Sequence, residues 1–344
     1  MDRVLELVQV HSRKYYVSIA ALLAASLLAK RAVEAMIPTG RSKRIPPSSE
    51  RVLIIGASSG VGKSIAMLYA ARGTKRVCIV GRRLPQLEQV KEECLSQSRS
   101  QSQSQSRDHG SNEEDNDHIL VHVADATRVE DLVALRERLE EEWGGIDTVH
   151  ICAGVSSLRP LLDVAGSPYA SRATTVEGIK HAQSVALKAI EGNFTAPLLV
   201  ALTFIPQLQR TSSLPAILLV SSLAALVPAP TRSLYAASKS SSLMLFRSLA
   251  IEHPKIQFSY ICPGTIEGNF RASAVDGGDV REVLEGALKV EVVAKRCIKM
   301  VDRSERLVII PWKYAAGFVL SWLFPRFVEK KAREKYGFDG DLPN

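Results

Sequence analysis

The stretch Arg51–Gly73, RVLIIGASSGVGKSIAMLYAARG, carries the reading that decides the fold. Val52–Ile55 is an apolar run of strand character. Gly56, Gly60 and Gly62 follow in a GxxxGxG spacing, and a helical pattern starts near Lys63. Glycines between a strand and a helix let the backbone turn tightly and let a pyrophosphate approach the helix N-terminus. Outward from this unit, apolar runs stand at Val77–Val80, Ile119–Val123, Thr148–Ala153, Ala216–Ser221, Gln257–Cys262 and Arg306–Ile310, in alternation with helical segments. That alternation predicts an α/β domain with a doubly wound parallel sheet. Strands rich in Val, Ile and Leu are of the kind buried on both faces.

A second stretch, Ser221–Lys239, reads SSLAALVPAPTRSLYAASK. Ser222 precedes Tyr235 by thirteen residues, and Lys239 follows Tyr235 by four. Positions i and i+4 share one helix face, so Tyr235 and Lys239 project together. An ammonium beside a phenol favours the phenolate and makes the pair useful for proton exchange. A serine hydroxyl nearby holds a carbonyl or alcohol oxygen. Taken singly, a Tyr and a Lys four apart are a surface pair in most helices. The glycine turn upstream is what gives this pair its meaning.

Together the two stretches resemble the short-chain dehydrogenase/reductase family, over about Arg51 to Arg306. The resemblance implies a single Rossmann-type domain and assigns roles residue by residue. Gly56, Ser58, Ser59, Gly60, Val61 and Gly62 match the cofactor loop, and Ser222, Tyr235 and Lys239 match the catalytic trio. Asn193, in EGNFTAPLLV, matches the helix asparagine that supports a water-mediated proton relay to the lysine. Asp125 and Ala126, in VADAT, match the residues beside the adenine ring. Ala153 and Gly154 match the Asn-Ala-Gly turn after the fourth strand, with Cys152 in place of its asparagine. Pro263, Gly264, Thr265 and Ile266 match the turn beside the nicotinamide. The threonine usual a few residues later is Gly268 here.

The end of the second strand reads Gly81-Arg82-Arg83, with no acid between Gly81 and Gln86. NAD-selective proteins of this architecture place a carboxylate here for the ribose 2′-hydroxyl. A guanidinium grips phosphate oxygens in a forked, charge-assisted geometry. Arg82, assisted by Ser58 and Arg83, is therefore expected to clamp a 2′-phosphate, and the expected cofactor is NADP(H).

With 344 residues and 46% hydrophobic content, the chain suffices for one large α/β domain plus extensions. Five cysteines, at 78, 94, 152, 262 and 297, form no CxxC or framework spacing. Reduced, packed thiols and no metal are expected. Residues 96–117 are low in complexity, cannot bury enough apolar area to offset their ordering entropy, and read as a disordered insertion. A second enlarged connection, Gly154–Asn193, is open to two readings, substrate mouth or surface loop.

The net charge is +8, with much of the excess near the two ends. No aromatic-laced basic strip accompanies it, so nucleic acid is not the expected partner. Tyr15–Ala29 is uncharged, bracketed by Arg13-Lys14 and Lys30-Arg31, and is expected to be an uncleaved membrane anchor, although shorter than the ~20 residues of a full span. The basic residues that follow it weakly place the catalytic domain in the cytosol. Tyr314–Phe324, with Trp312, Trp322 and a basic tail, suits a lipid interface. A C-terminal element of this kind, and the SSLA of Ser221–Ala224, resemble the membrane-associated 11β-hydroxysteroid dehydrogenase-like branch. A helix at a homodimer interface is the competing reading of the C-terminal segment.

The expected organisation is a membrane anchor and linker (1–46), a catalytic domain (47–310) with the insertion, and an interfacial segment with a basic tail (311–344). The expected activity is NADPH-dependent reduction of a lipophilic ketone or aldehyde, or oxidation of the matching alcohol, at the endoplasmic reticulum or lipid-droplet surface. A 3-ketosphinganine-type reductase is the nearest enzyme alternative. A membrane-bound NADP(H)-binding scaffold is the non-enzyme alternative, against which the intact trio argues.

Overall fold

A computed structural model describes residues 40–105, 119–168, 173–272, 274–278 and 286–338. Tyr15–Ala29 lies outside the described residues, as do 106–117 of the low-complexity tract.

Seven strands form one sheet, all parallel: β1 (Arg51–Ile55), β2 (Arg76–Gly81), β3 (Ile119–Val123), β4 (Thr148–Ile151), β5 (Ala216–Val220), β6 (Gln257–Pro263) and β7 (Leu307–Ile310). Their order is β3-β2-β1-β4-β5-β6-β7, which reverses direction between β1 and β4. That reversal opens a crevice at the C-terminal ends of the strands, the place where ligands bind in such sheets. The helices are α1 (Gly40–Arg44), α2 (Gly60–Ala71), α3 (Leu84–Gln105), α4 (Val129–Trp143), α5 (Leu161–Val164), α6 (Val176–Ile190), α7 (Ala196–Thr211), α8 (Ser233–Glu252), α9 (Val290–Asp302), α10 (Lys313–Leu323) and α11 (Pro325–Tyr336).

The strands alternate with period two and bury both faces. Leu53 and Ile55 join Leu132, Leu139, Phe204 and Phe246 on one side; Val52 and Ile54 join Ile65, Tyr69, Leu87 and Met300 on the other. The strand runs seen in the sequence are thus the observed strands, with small differences at their ends. β4 stops at Ile151 because the Cys152 and Ala153 amides both turn to the Ile55 carbonyl, at 2.8 and 3.1 Å. Helix α3 continues to Gln105, ten residues into the tract expected to be disordered. The exit of Cys94 and Leu95 into the core, and a bond from Ser98 Oγ to the Ala70 carbonyl at 3.0 Å, tie this end of the helix to α2.

Below the N-terminal ends of the strands lies a buried ionic cluster that the sequence did not announce. Arg41 of α1 is 4% exposed. It donates to Glu50 Oε1 at 2.6 Å, to Thr148 Oγ1 at 2.7 Å and to the Leu214 carbonyl at 3.1 Å. Glu50 also pairs with Arg72. Arg41 is thereby tied to the body of the sheet through Glu50 and Thr148.

Next to this cluster, His150 of β4 is fully buried and 2.9 Å from the Tyr69 hydroxyl. Burial, aided by the Arg72 and Arg41 charges, pushes its pKa down from 6.5 to about 3. The imidazole is neutral in the fold, while the unfolded chain takes up a proton near pH ~6.5. Stability from neutral His150 is therefore complete above that value and is lost as pH falls from ~6.5 toward ~3. Urea melts should show stability declining over this window with a component of up to about 1.4 kcal/mol per pH unit from this one proton. His150→Gln should flatten that slope. Equal slopes in both proteins would remove His150 as the cause.

Candidate active site

All of the strand ends that face the crevice contribute to one cleft of about 1140 Å³. At its first wall is the glycine turn after β1. Gly56 has φ +86°, and a Cβ there would sit 2.6 Å from the Ala153 amide nitrogen. A Cβ on Gly62 would sit 2.2 Å from the Gly56 carbonyl. These two positions are glycine because the turn folds back on itself and on the β4 end. Around Gly60 the turn is open, and a Cβ meets nothing within 4 Å.

Ser58, Arg82, Arg83 and Asp125 gather at the outer end of the cleft. Arg83 donates to Ser58 Oγ at 3.1 Å, and Arg82 lies 3.6 Å from Asp125 Oδ2. Burial opposes ionisation of Asp125, but two bonds from Thr127 and the Arg82 charge outweigh it and hold the carboxyl below its usual range. The Arg82 side chain is 72% exposed at the cleft rim.

At the inner end, α8 carries Tyr235 and Lys239 on its buried face, 6% and 4% exposed. Lys239 Nζ donates to the Val220 carbonyl at 3.2 Å. Ser222 caps the turn Leu223–Ala225, its Oγ accepting from the Ala224 amide at 3.2 Å. All three line the cleft, as do Ser59, Val61, Ala126, Ala153, Gly154, Pro263, Gly264, Thr265 and Ile266.

Asn193 stands just behind this wall, fully buried. It lies in a π-helical turn, Glu191–Thr195, between α6 and α7. Pro197 has no N–H to give the Asn193 carbonyl, so the α-helical ladder is broken there. π-turns inside helices are frequent at functional sites. The Asn193 side chain accepts from the Val155 amide at 2.9 Å, and donates to the Val155 carbonyl at 2.9 Å and to Ser238 Oγ at 3.0 Å. Ser238 Oγ in turn donates to the Tyr235 carbonyl at 2.9 Å. The continuous stretch Val176–Thr211 is long and apolar enough to cross a membrane, but here it packs on the sheet and delivers Asn193 to the site.

Several cleft residues were not foreseen. Arg232 stacks on the Tyr235 ring, and Phe270 meets it edge-on. Their signal in the sequence was only proximity to Tyr235 and to the Pro263 turn. Helices α10 and α11 fold over the cleft, where Tyr314, Leu320, Phe327, Lys331 and Lys335 line it. A Cβ on Gly264 would meet the Tyr314 ring at 3.0 Å. The side chains of Trp312 and Trp322 point away, 67% and 78% exposed. Burial raises the thiols of Cys94, Cys152 and Cys262 to about 12, so none is a nucleophile at neutral pH. No group of three or more His, Cys, Asp or Glu among the described residues is placed to hold a metal ion.

Comparison with known proteins shows the family and the fold. The family profile described as short chain dehydrogenase matches residues 50–277. A "Dehydrogenase/reductase SDR family protein 7-like" of Dictyostelium discoideum is 30% identical over 81% of this chain and 79% of its own. The 11-beta-hydroxysteroid dehydrogenase A of Sesamum indicum is 28% identical over 79% of this chain and 74% of its own. In three dimensions, a short-chain dehydrogenase from Sphingobium yanoikuyae in complex with NADPH superposes with a TM-score of 0.59, at 24% identity, over 86% of this chain and 97% of its own.

Proposed function

The chain belongs to the short-chain dehydrogenase family and is an oxidoreductase, and from that premise we propose that it reduces the carbonyl of a lipophilic molecule with NADPH. The observation that carries this reading is the trio in the cleft: buried Tyr235 and Lys239 on one helix face, with Ser222 and the glycine turn after β1 lining the same cleft. The residues at the outer end fit NADP(H). The turn is open at Gly60, two arginines follow β2 with no acid between Gly81 and Gln86, and the nearby Asp125 carboxylate is paired with Arg82. Bound NADPH supplies the hydride. The Ser222 hydroxyl holds the carbonyl oxygen, and Tyr235 delivers a proton to that oxygen. Lys239 holds the ribose and supplies positive charge beside the phenolate that remains. A relay role for Asn193 falls to its main chain, since its side chain is spent on Val155 and Ser238.

Purified full-length protein in detergent, offered NADPH with steroid, sphingoid and retinoid carbonyls, should oxidise NADPH with at least one of them. NADPH binding without turnover of any carbonyl would favour a sensor. Arg82→Ala should weaken NADPH binding by roughly 1.5–3 kcal/mol, the scale of a charge-assisted hydrogen bond, and NADH binding much less. Equal losses for the two cofactors would show that Arg82 does not read the 2′-phosphate.

The setting of this chemistry is a membrane surface, of the endoplasmic reticulum or lipid droplets. Support comes from the uncharged Tyr15–Ala29 segment and from the exposed Trp312, Trp322, Leu323 and Phe324 on and beside the helix that covers the cleft. Such aromatic and apolar residues beside a basic helix favour the lipid interface. A substrate dissolved in lipid would then enter between α10 and α11 without crossing water.

A further inference from the structure

Arg232 sits three residues before Tyr235, at the start of α8. Its guanidinium carbon lies 4.2 Å from the centroid of the Tyr235 ring. The residue is 4% exposed. Nη1 donates to Ser156 Oγ at 3.2 Å and to the Ser157 carbonyl at 3.0 Å, both neutral groups. A buried guanidinium held by neutral acceptors is costly unless something offsets its charge. The face of an aromatic ring does so in part, through its quadrupole. A phenolate on that same ring would do so more fully.

The seat of Arg232 is itself clamped. Asp276, 5% exposed, accepts from Ser157 Oγ at 2.8 Å, from the Leu158 amide at 2.6 Å and from the Arg159 amide at 2.7 Å. The Val275 amide donates to the Ser156 carbonyl at 2.9 Å. The loop after β4 is thereby locked to the chain after β6. Phe270, on that same chain, meets the Tyr235 ring at a centroid distance of 6.1 Å and an interplanar angle of 64°. The phenol ring is gripped on its face by a cation and at its edge by an aromatic ring.

We infer that Arg232 is a positioning residue for Tyr235: it fixes the ring against the cleft wall and offsets the charge left when the phenol gives up its proton. This rests on the reading of Tyr235 as the proton donor. Among the described residues, the charged groups on the elements packed against the ring are Arg232 and Lys239 on its own helix and Glu267, Arg271 and Asp276 on the chain after β6. Of these, Arg232 is the one stacked on the ring.

The test compares full-length wild type, Arg232→Met, Arg232→Lys and Tyr235→Phe, using NADPH and one turned-over carbonyl. Arg232→Met should lower kcat roughly 5–30-fold, the span of a desolvated cation–π contact, with KM and NADPH affinity near wild type. A merely structural role would move KM and NADPH affinity together with kcat. Arg232→Lys keeps the charge, so it should recover part of the kcat lost in Arg232→Met. A wild-type kcat in Arg232→Met, or a loss carried by KM or cofactor affinity, would overturn the inference while leaving Tyr235 as the acid. Near-normal turnover in Tyr235→Phe would instead overturn the reading of Tyr235. If Arg232→Met does not accumulate as folded protein, Arg232→Lys decides: a reduced kcat with KM and NADPH affinity unmoved supports the inference, and a change confined to KM or NADPH affinity overturns it.

Discussion

Replacement of Tyr235 by Phe should reduce turnover with NADPH by roughly 10²–10⁴-fold, the contribution of a positioned general acid. The substitution keeps the ring and deletes the hydroxyl. The ring makes the contacts with Arg232 and Phe270, so the wall of the cleft should survive. NADPH binding should therefore change little, because the glycine turn and the arginines after β2 stand at the other end. Loss of turnover with retained binding is the expected pair of results, read by steady-state kinetics and cofactor fluorescence. Near-normal turnover would rule out Tyr235 as the proton donor.

The second large effect lies far from the cleft. Arg41→Met should destabilise the fold by about 3 kcal/mol, the lower end of the range for breaking a buried ion pair. The lower end applies because Arg72 continues to neutralise part of the Glu50 charge. The same reasoning decides where an N-terminal truncation is made. Removal of residues 1–39 should keep the Arg41–Glu50 pair and the melting temperature, and should release much of the protein from membranes. Removal of residues 1–44 deletes Arg41, leaves Thr148 and the Leu214 carbonyl without its donor, and should melt several degrees lower. Thermal melts of the two truncations are the measurement. Equal melting temperatures would show that α1 contributes nothing to the fold.

Much of the site was legible in the chain because its signals are local. A glycine turn between a strand and a helix, a Tyr and a Lys one helical turn apart, and a missing acid after β2 are read within a few residues. The seven apolar runs became the seven strands for the same reason: a strand buried on both faces needs a short, continuous apolar run whatever its neighbours. Even the π-turn that seats Asn193 has a local cause in Pro197.

The tertiary structure alone decided what depends on partners remote in sequence. Arg232 is an ordinary basic residue until Ser156 and Ser157, some 75 residues away, receive its Nη1. Asp276 gains its purpose from Ser157, 119 residues earlier. Arg41 reads as part of a basic linker, yet it reaches Thr148 across 107 residues and belongs to the core. The Ser/Gln-rich tract reads as disordered by composition, yet its first residues continue a helix because α2 lies beside them. A hydrogen bond or ion pair leaves no periodicity in the chain, so the glycine turn and the spacing of Ser222, Tyr235 and Lys239 were written in the sequence. The seat of the Tyr235 ring and the place of Arg41 in the core arise only when the sheet brings distant segments together.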